Sequence, residues 1–432
     1  MEDHMRKAFA AVAGIAVAAL ALAGCSGSTD NAGSGGSDDD SQVEVFTWWA
    51  SGSEKTGLDA LVKVFGEQYP DTEFVNAAVA GGAGSNAKNA LASRLKANNP
   101  PDSFQAHAGA ELTDYIEADK IEDLSSFYEE NGLNDVFPET LIDRLTVDGK
   151  IYSVPSNIHR ANVVWVNTQL LTDAGIDPTQ APADLDAWLA DMKKLKDAGV
   201  ETPLSVATDW TQVQLFENVL LSTLGAEGYQ GLWDGSTKFD DAKVTDAIDA
   251  YTELLSYANT DGTGQDWPVA TDMVIDGTAA YNVMGDWALA EFDAKGQTYG
   301  TEYTTWPTPG TDGMFDFLAD SFTLPVGAPH AGGAKNWLKT ISSADGQKAF
   351  NLAKGSIPAR TDAEASDYPE YQQGAMASFA EDTVVSSLAH GAAVKVSWLN
   401  DITSAIGQFV SSQDAATLQD ALVQAQTKGL GQ

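Results

Sequence analysis

The segment 102–109, DSFQAHAG, places Gln105 and His107 two residues apart. On a strand, residues i and i+2 share one face, so the amide and the imidazole aim together just before Gly109 ends the run. Both side chains donate and accept hydrogen bonds, which suits the capture of a polar ligand. A second candidate is VEVFTWWASG at 43–52, where Trp48 and Trp49 stand side by side at the end of a strand. Neighbours on a strand face opposite ways, and one core cannot easily take both indoles. In open α/β sheets the ligand crevice lies beyond the carboxyl ends of the strands. One indole can pack inward there while the other lines a cleft.

The same sequence gives nucleophilic and metal chemistry little support. There is no G-x-S-x-G, and the histidines form no H-x-x-x-H pair that would suggest zinc. AGGAGSNAKN, with Gly81, Gly82 and Gly84, lacks the Gly-Lys-Ser/Thr ending of a P-loop and is not G-x-G-x-x-G. It reads as a glycine turn opening a helix near Asn86, its amides free to border a ligand. With 62 acidic residues, counting cannot exclude the two carboxylates of a glycoside hydrolase.

The 62 acidic against 24 basic residues give a net charge of −38. Nucleic acid and anionic membranes are poor partners for such a surface, because binding them rests on Lys and Arg clusters. The N-terminus MRKAFAAVAGIAVAALALAGC has a basic start at Arg6 and Lys7 and an apolar run from Ala8 to Leu22. It reads as a secretory signal over 1–24, too short to span a bilayer. Glu2 and Asp3 interrupt the positive start, so translation from Met5 competes with Met1. The run ends in LAGC, which looks like the lipobox of bacterial lipoproteins. Cys25, the only cysteine, is then the lipidated residue, and the Gly, Ser and Asp stretch after it completes a flexible tether over 25–41. The expected location is outside the cell, anchored to the outer face of the membrane.

The elements that position these residues alternate. Leu58, Leu61, Val62, Phe65 and Tyr69 fall at helical spacing after the first strand, and TEFVNAAVA reads as the next strand. Leu185, Trp188, Leu189, Met192 and Leu195 mark a helix begun near Pro182 and stopped at Gly199. Strand alternating with helix predicts α/β layers with largely parallel sheets. At 432 residues and 43% hydrophobic content, the chain suffices for two domains. Three segments are expected to cross between them: 148–167, where Asp148-Gly149 signals a hairpin, 279–292 and 320–329. Three crossings imply two lobes facing a cleft.

KIYSVPSNIHRANVVWVN, DGTAAYNVMGDWALAEF and AKNWLKTISSADGQKAF, with the lipobox, resemble an extracellular solute-binding protein of an ABC transporter, in the sugar-binding group that includes maltose-binding protein. FTWWASG, AGGAGSNAKNAL, PPDSFQAHAG, NIHRANVVW, NVMGDWA, ADSFTLP, AKGSIPAR and LAHGA resemble, in the same order, the glucose-binding proteins of that group. The resemblance runs from about residue 42 to the C-terminus. It implies a two-lobe periplasmic-binding-protein-like fold with a hinge of several crossings. The expected lobes are 42–157 with 287–322, and 158–286 with 323–432. It also implies a monomer that closes on a monosaccharide, glucose first, and docks on a membrane permease, with no cofactor and no catalysis. An oligosaccharide or pentose is the alternative cargo, an exported glycoside hydrolase the alternative class.

A hexose offers apolar C–H faces and a rim of hydroxyls, matched by aromatic plates and groups that donate and accept. The resemblance assigns sugar contact to Gln105 and His107, to Trp267 and Trp287 as plates from the far side of the cleft, and to Asp320, Lys354 and His390 as polar contacts. Asp320 is expected to accept from two hydroxyls. Trp48 and Trp49 complete the set. His159 and Arg160 lie at the first crossing, at the expected border of the cleft and outside the assigned set.

Overall fold

The computed structural model describes residues 39–80 and 84–431. The signal segment, Cys25 and most of the tether lie outside the described residues, as do Gly81 and Gly82. Among the described residues, no helix is long and apolar enough to cross a membrane.

A five-stranded sheet runs in the order Glu73–Asn76, Gln42–Phe46, Ser103–His107, Asp320–Thr323, Val154–Pro155. Its first three strands are parallel, and the last two run antiparallel to their neighbours. Helix Gly52–Gln68 buries Leu58, Leu61 and Phe65, whose three- and four-residue spacing defines one face. Phe65 meets Trp337 of helix Ala331–Ser342 edge to face at 5.8 Å. Gly57 lies so close to Phe350 of helix Ala344–Lys354 that a Cβ there would stand 3.0 Å from the ring.

A second sheet has the order Tyr303–Pro307, Val163–Asn167, Ala279–Val283, Thr202–Ser205. Val163–Asn167 is antiparallel to both neighbours, and Ala279–Val283 runs parallel to Thr202–Ser205. Helix Leu185–Asp197 buries the five apolar residues that the spacing predicts, and Asp184 caps it by accepting the Ala187 N–H at 2.9 Å. Helices Asp209–Asp234, Ala242–Leu255, Val396–Ser412 and Ala415–Gly429 contribute to the same core. The first of these is broken at Gly225, where φ is 70° and ψ 173°.

A third sheet, Thr383–Ser386, Met314–Leu318, His159–Arg160, links the two. The chain passes between it and the first sheet twice: into it from Val154–Pro155 to His159–Arg160, and out of it from Met314–Leu318 to Asp320–Thr323. The first expected crossing is therefore observed, and its Asp148-Gly149 turn takes positive φ at both residues between paired strands, as a hairpin of this kind requires. The third crossing lies at 314–323 and not at 320–329, because one nearly continuous strand serves both sheets.

The expected division of the lobes needs two changes. Tyr303–Pro307 pairs with Val163–Asn167 and so sits in the second sheet, although 287–322 was assigned to the first lobe. Helices Ala331–Ser342 and Ala344–Lys354 pack on the first sheet and its helix, although 323–432 was assigned to the second. Helical periodicity says which face of a helix is buried, and nothing about which sheet receives it.

Candidate functional site

The two sheets converge on one cavity, about 340 Å³ of empty space including its opening to solvent. Eight of the nine side chains assigned from the sequence line it: Trp48, Trp49, His107, Trp267, Trp287, Asp320, Lys354 and His390. Trp49 has 0% of its surface exposed and packs between Phe322 at 5.6 Å and Phe350 at 4.7 Å. Trp48 lies flat against Gly84, where a Cβ would come within 2.9 Å of the ring, and 5.0 Å from His107. Both indoles follow the last strand residue, Phe46, and both line the cavity; Trp49 also packs into the core, and Trp48 forms a wall.

Gln105 is the ninth, and it stands behind the cavity. Its Oε1 accepts from the Thr47 hydroxyl and, at 3.3 Å, from the Trp48 N–H; its Nε2 donates to Asp320 Oδ1 at 2.8 Å. It shares the strand face of His107, yet cross-strand Asp320 intervenes, being paired in register with His107. Gln105 positions Asp320 and is not a lining residue.

Asp320 Oδ2 accepts from Asn157 Nδ2 at 2.9 Å and lies 3.2 Å from His159 Nε2. Three of the roughly four acceptor positions of a carboxylate are therefore filled by Gln105, Asn157 and His159, which leaves room for about one further donor, not the two hydroxyls expected. Burial opposes the charge of Asp320, but the hydrogen bond and charge of His159, with His107 and Lys354, hold its pKa well below the usual carboxylate range. His159 Nδ1 is bonded to Asp286. Burial works against the imidazolium, and Asp286 and Asp320 outweigh it, so its pKa is raised. A buried Asp286–His159–Asp320 triad thus joins the two sheets through the linking one.

His107 Nδ1 stands 2.8 Å from Glu111 Oε2, which also receives Lys88 Nζ at 2.9 Å. Against the cost of burial, Lys88 and His107 pull the Glu111 pKa down to about 2. Lys354, 2% exposed, ends its helix before left-handed Gly355 (φ 86°) and reaches Glu54 Oε1 at 3.5 Å. Burial raises the Glu54 pKa, with Lys354 opposing. Glu54 is a second acid at the cavity, beside the assigned Asp320.

Three tryptophans close the far side. Trp267 begins helix Trp267–Ile275 behind its cap Asp266, and Trp287 sits in the single turn Asp286–Ala288. Trp210 is the second residue of helix Asp209–Asp234, 6.1 Å from Trp287 and 5.6 Å from His390. Sequence reasoning missed Trp210, Glu54 and Leu318. For Trp210 a signal existed: Asp209-Trp210, Asp266-Trp267 and Asp286-Trp287 are three Asp-Trp pairs at helix starts. His390 Nδ1 lies 3.0 Å from Ser387 Oγ, and burial, with the nearby positive charge of His107, His159 and Lys88, lowers its pKa well below that of free imidazole. Among the described residues, no cluster of His, Cys, Asp and Glu could hold a metal ion.

Residues 49–348 match the model of the bacterial extracellular solute-binding protein family. The chain belongs to that family. This solute-binding protein is 34% identical over 393 residues to an "uncharacterized ABC transporter extracellular-binding protein" of Pyrococcus horikoshii, covering 90% of this chain and 88% of the relative. It is 30% identical to the xylose/arabinose-binding protein XacG of Haloferax volcanii, over 91% of this chain and 86% of that one. A solved structure named as a chitin oligosaccharide binding protein superposes on it with a TM-score of 0.80 at 21% identity, covering 90% of this chain and 99% of that one. Two lobes around a cleft are the fold of this solute-binding protein.

Proposed function

We propose that this solute-binding protein captures a monosaccharide in the tryptophan-lined cavity by lobe closure and delivers it to an ABC permease. The observation that carries the reading is the cavity itself, on which five indoles and the polar groups of Asp320, His107, His390, Lys354 and Glu54 converge. Indoles cover C–H faces, while the carboxylate and imidazoles meet hydroxyls. Glucose is the first choice, from the residue blocks of the sequence; xylose and arabinose follow, because the Haloferax relative is named for them.

Capture works as a population shift. Sugar held by the first lobe through Trp48, His107 and Asp320 gains contacts such as Trp210 from the second when the lobes meet. Moving a 1:99 equilibrium to 99:1 takes ~5.5 kcal/mol of differential affinity, within reach of stacked indoles and two or three hydrogen bonds. Export and anchoring through Cys25 complete the reading and place capture outside the membrane.

A hydrolase would pair an acid of raised pKa with an ionised partner, and Glu54 and Asp320 have those directions. Asp320, however, is bound by three donors, and Glu54 faces Lys354; this fixes charges instead of freeing a nucleophile. The test is tryptophan fluorescence titrated with glucose, galactose, mannose, xylose, arabinose and maltose, with the sugars analysed afterwards. A saturable change with one monosaccharide, recovered intact, is expected. Cleaved maltose, or a response to no monosaccharide, overturns the reading.

A further inference from the structure

His390 reaches the cavity from the loop after strand Thr383–Ser386 and is 4% exposed. Its Nδ1 contacts Ser387 Oγ, whereas its Nε2 is buried without a hydrogen-bond partner. Ser387 Oγ lies 3.0 Å and 3.2 Å from the two oxygens of Glu217 and receives the His390 N–H at 3.3 Å. A hydroxyl has one hydrogen to give, and an ionised carboxylate only accepts. That hydrogen therefore goes to Glu217, and Ser387 Oγ presents lone pairs to the ring, so Nδ1 must be the nitrogen that carries the proton. The second nitrogen is left as a bare acceptor at the cavity.

Glu217 is held as an acceptor from several sides. Ala389 N–H donates to its Oε2 at 2.8 Å, and the Tyr229 hydroxyl stands 3.4 Å away. Asp316 of strand Met314–Leu318 faces it, buried, with neither carboxyl oxygen receiving a donor. Burial and the charge of Glu217 push Asp316 far up, with Arg160 opposing; burial also raises Glu217, against its own hydrogen bonds. Of this pair, Asp316 keeps the proton because it has no donors and Glu217 has several. Around the ring itself, burial, His107, His159 and Lys88 disfavour a second proton, and Asp320 favours one.

We propose that Ser387 and Glu217 are positioning residues that fix His390 as the Nδ1–H tautomer, making Nε2 an acceptor that selects ligands carrying a hydroxyl at the facing position. The selection rests on the cavity being a sugar site; the tautomer does not. A site that presents an unpaired buried acceptor rejects an analogue lacking the matching O–H, by about ten- to a hundredfold. A fluoro or methoxy group at that carbon is rejected as well, since neither donates.

The full chain, labelled with ¹⁵N at histidine, gives the tautomer directly from two-bond ¹H–¹⁵N correlations, with His390 assigned by its loss in His390→Gln. Between pH 6 and 8 the expected signature is a protonated Nδ1 and an unprotonated Nε2. Ser387→Ala, which leaves Nδ1 without its acceptor, is expected to populate the Nε2–H form, and Ser387→Thr to restore the wild-type pattern. In parallel, the ratio of affinities for D-glucose and its monodeoxy analogues is expected to show one position of at least tenfold preference, lost in Ser387→Ala and recovered in Ser387→Thr. An Nε2–H or imidazolium signature in the wild type overturns the proposal, as does a Ser387→Ala protein with unchanged tautomer and unchanged preference. If no monosaccharide binds but the Nδ1–H signature is present, the sugar reading fails while the tautomer assignment is supported.

Discussion

Gly285→Ala isolates the contribution of one aromatic plate. Gly285 has φ −66° and ψ 170°, a backbone that alanine adopts without strain, so the added methyl acts only through space. A Cβ there would overlap the six-membered ring of Trp287, and the indole must move. In its present place Trp287 meets His159 edge to face at 5.1 Å and His390 at 5.0 Å. Each such contact is worth ~0.5–1.5 kcal/mol, and forcing a methyl into packed space costs ~1–3 kcal/mol. A loss of ~1–3 kcal/mol in stability is therefore expected. With the plate displaced, sugar affinity is expected to fall by about ten- to a hundredfold, equivalent to ~1.4–2.8 kcal/mol. The assays are thermal melting, near-ultraviolet circular dichroism of the indoles and fluorescence titration. Gly264→Ala, where a Cβ meets nothing within 4 Å, is the control. A Gly285→Ala protein with wild-type dichroism and affinity within twofold would refute the placement of Trp287.

Three further outcomes follow from the polar network. Gln105→Leu should weaken binding of every monosaccharide by a similar factor, because Gln105 acts through Asp320; a change in sugar preference, read by calorimetry, would contradict that role. Glu111→Gln should cost ~3 kcal/mol, the scale of breaking a buried ion pair. Because the folded pKa of Glu111 is lowered to about 2, that stabilisation is present above the unfolded value of ~4.3 and fades as pH falls toward 2, so wild type and variant should converge in acid melts. His159 has a raised folded pKa; its stabilisation is complete below ~6.5 and is lost as pH rises through the raised value. His159→Asn should lack that alkaline decline, and an identical pH slope in both proteins would count against the charged triad.

The helices were legible where one face alone is buried, as in the five apolar positions of 185–197, and the Asp148-Gly149 turn by its residue types; central strands such as Val163–Asn167 and Ala279–Val283 are buried on both faces. The assembly was less so. Tyr303–Pro307 joins the second sheet and the helices over 331–354 join the first, choices made by long-range packing such as Phe65 on Trp337. In the site, Trp48, Trp49 and His107 could be argued from strand geometry, whereas Asp320, Lys354 and His390 depended on resemblance, since residues over two hundred positions apart carry no local signal of meeting. Gln105 was placed on the correct strand face, but a face does not reveal that a cross-strand carboxylate stands in front of it. Glu54 was hidden among many helix-surface acids; only its ion pair with Lys354 singles it out.

The most direct test of the central claim is a crystal structure of the protein with saturating monosaccharide, using the sugar that fluorescence selects. One sugar ring is expected between Trp48 and the Trp210, Trp267 and Trp287 wall, with hydroxyls in hydrogen-bond reach of Asp320 and His390 Nε2. A sugar bound elsewhere, or several linked rings extending beyond the cavity when oligosaccharide is supplied with higher affinity, would contradict capture of a monosaccharide at this site.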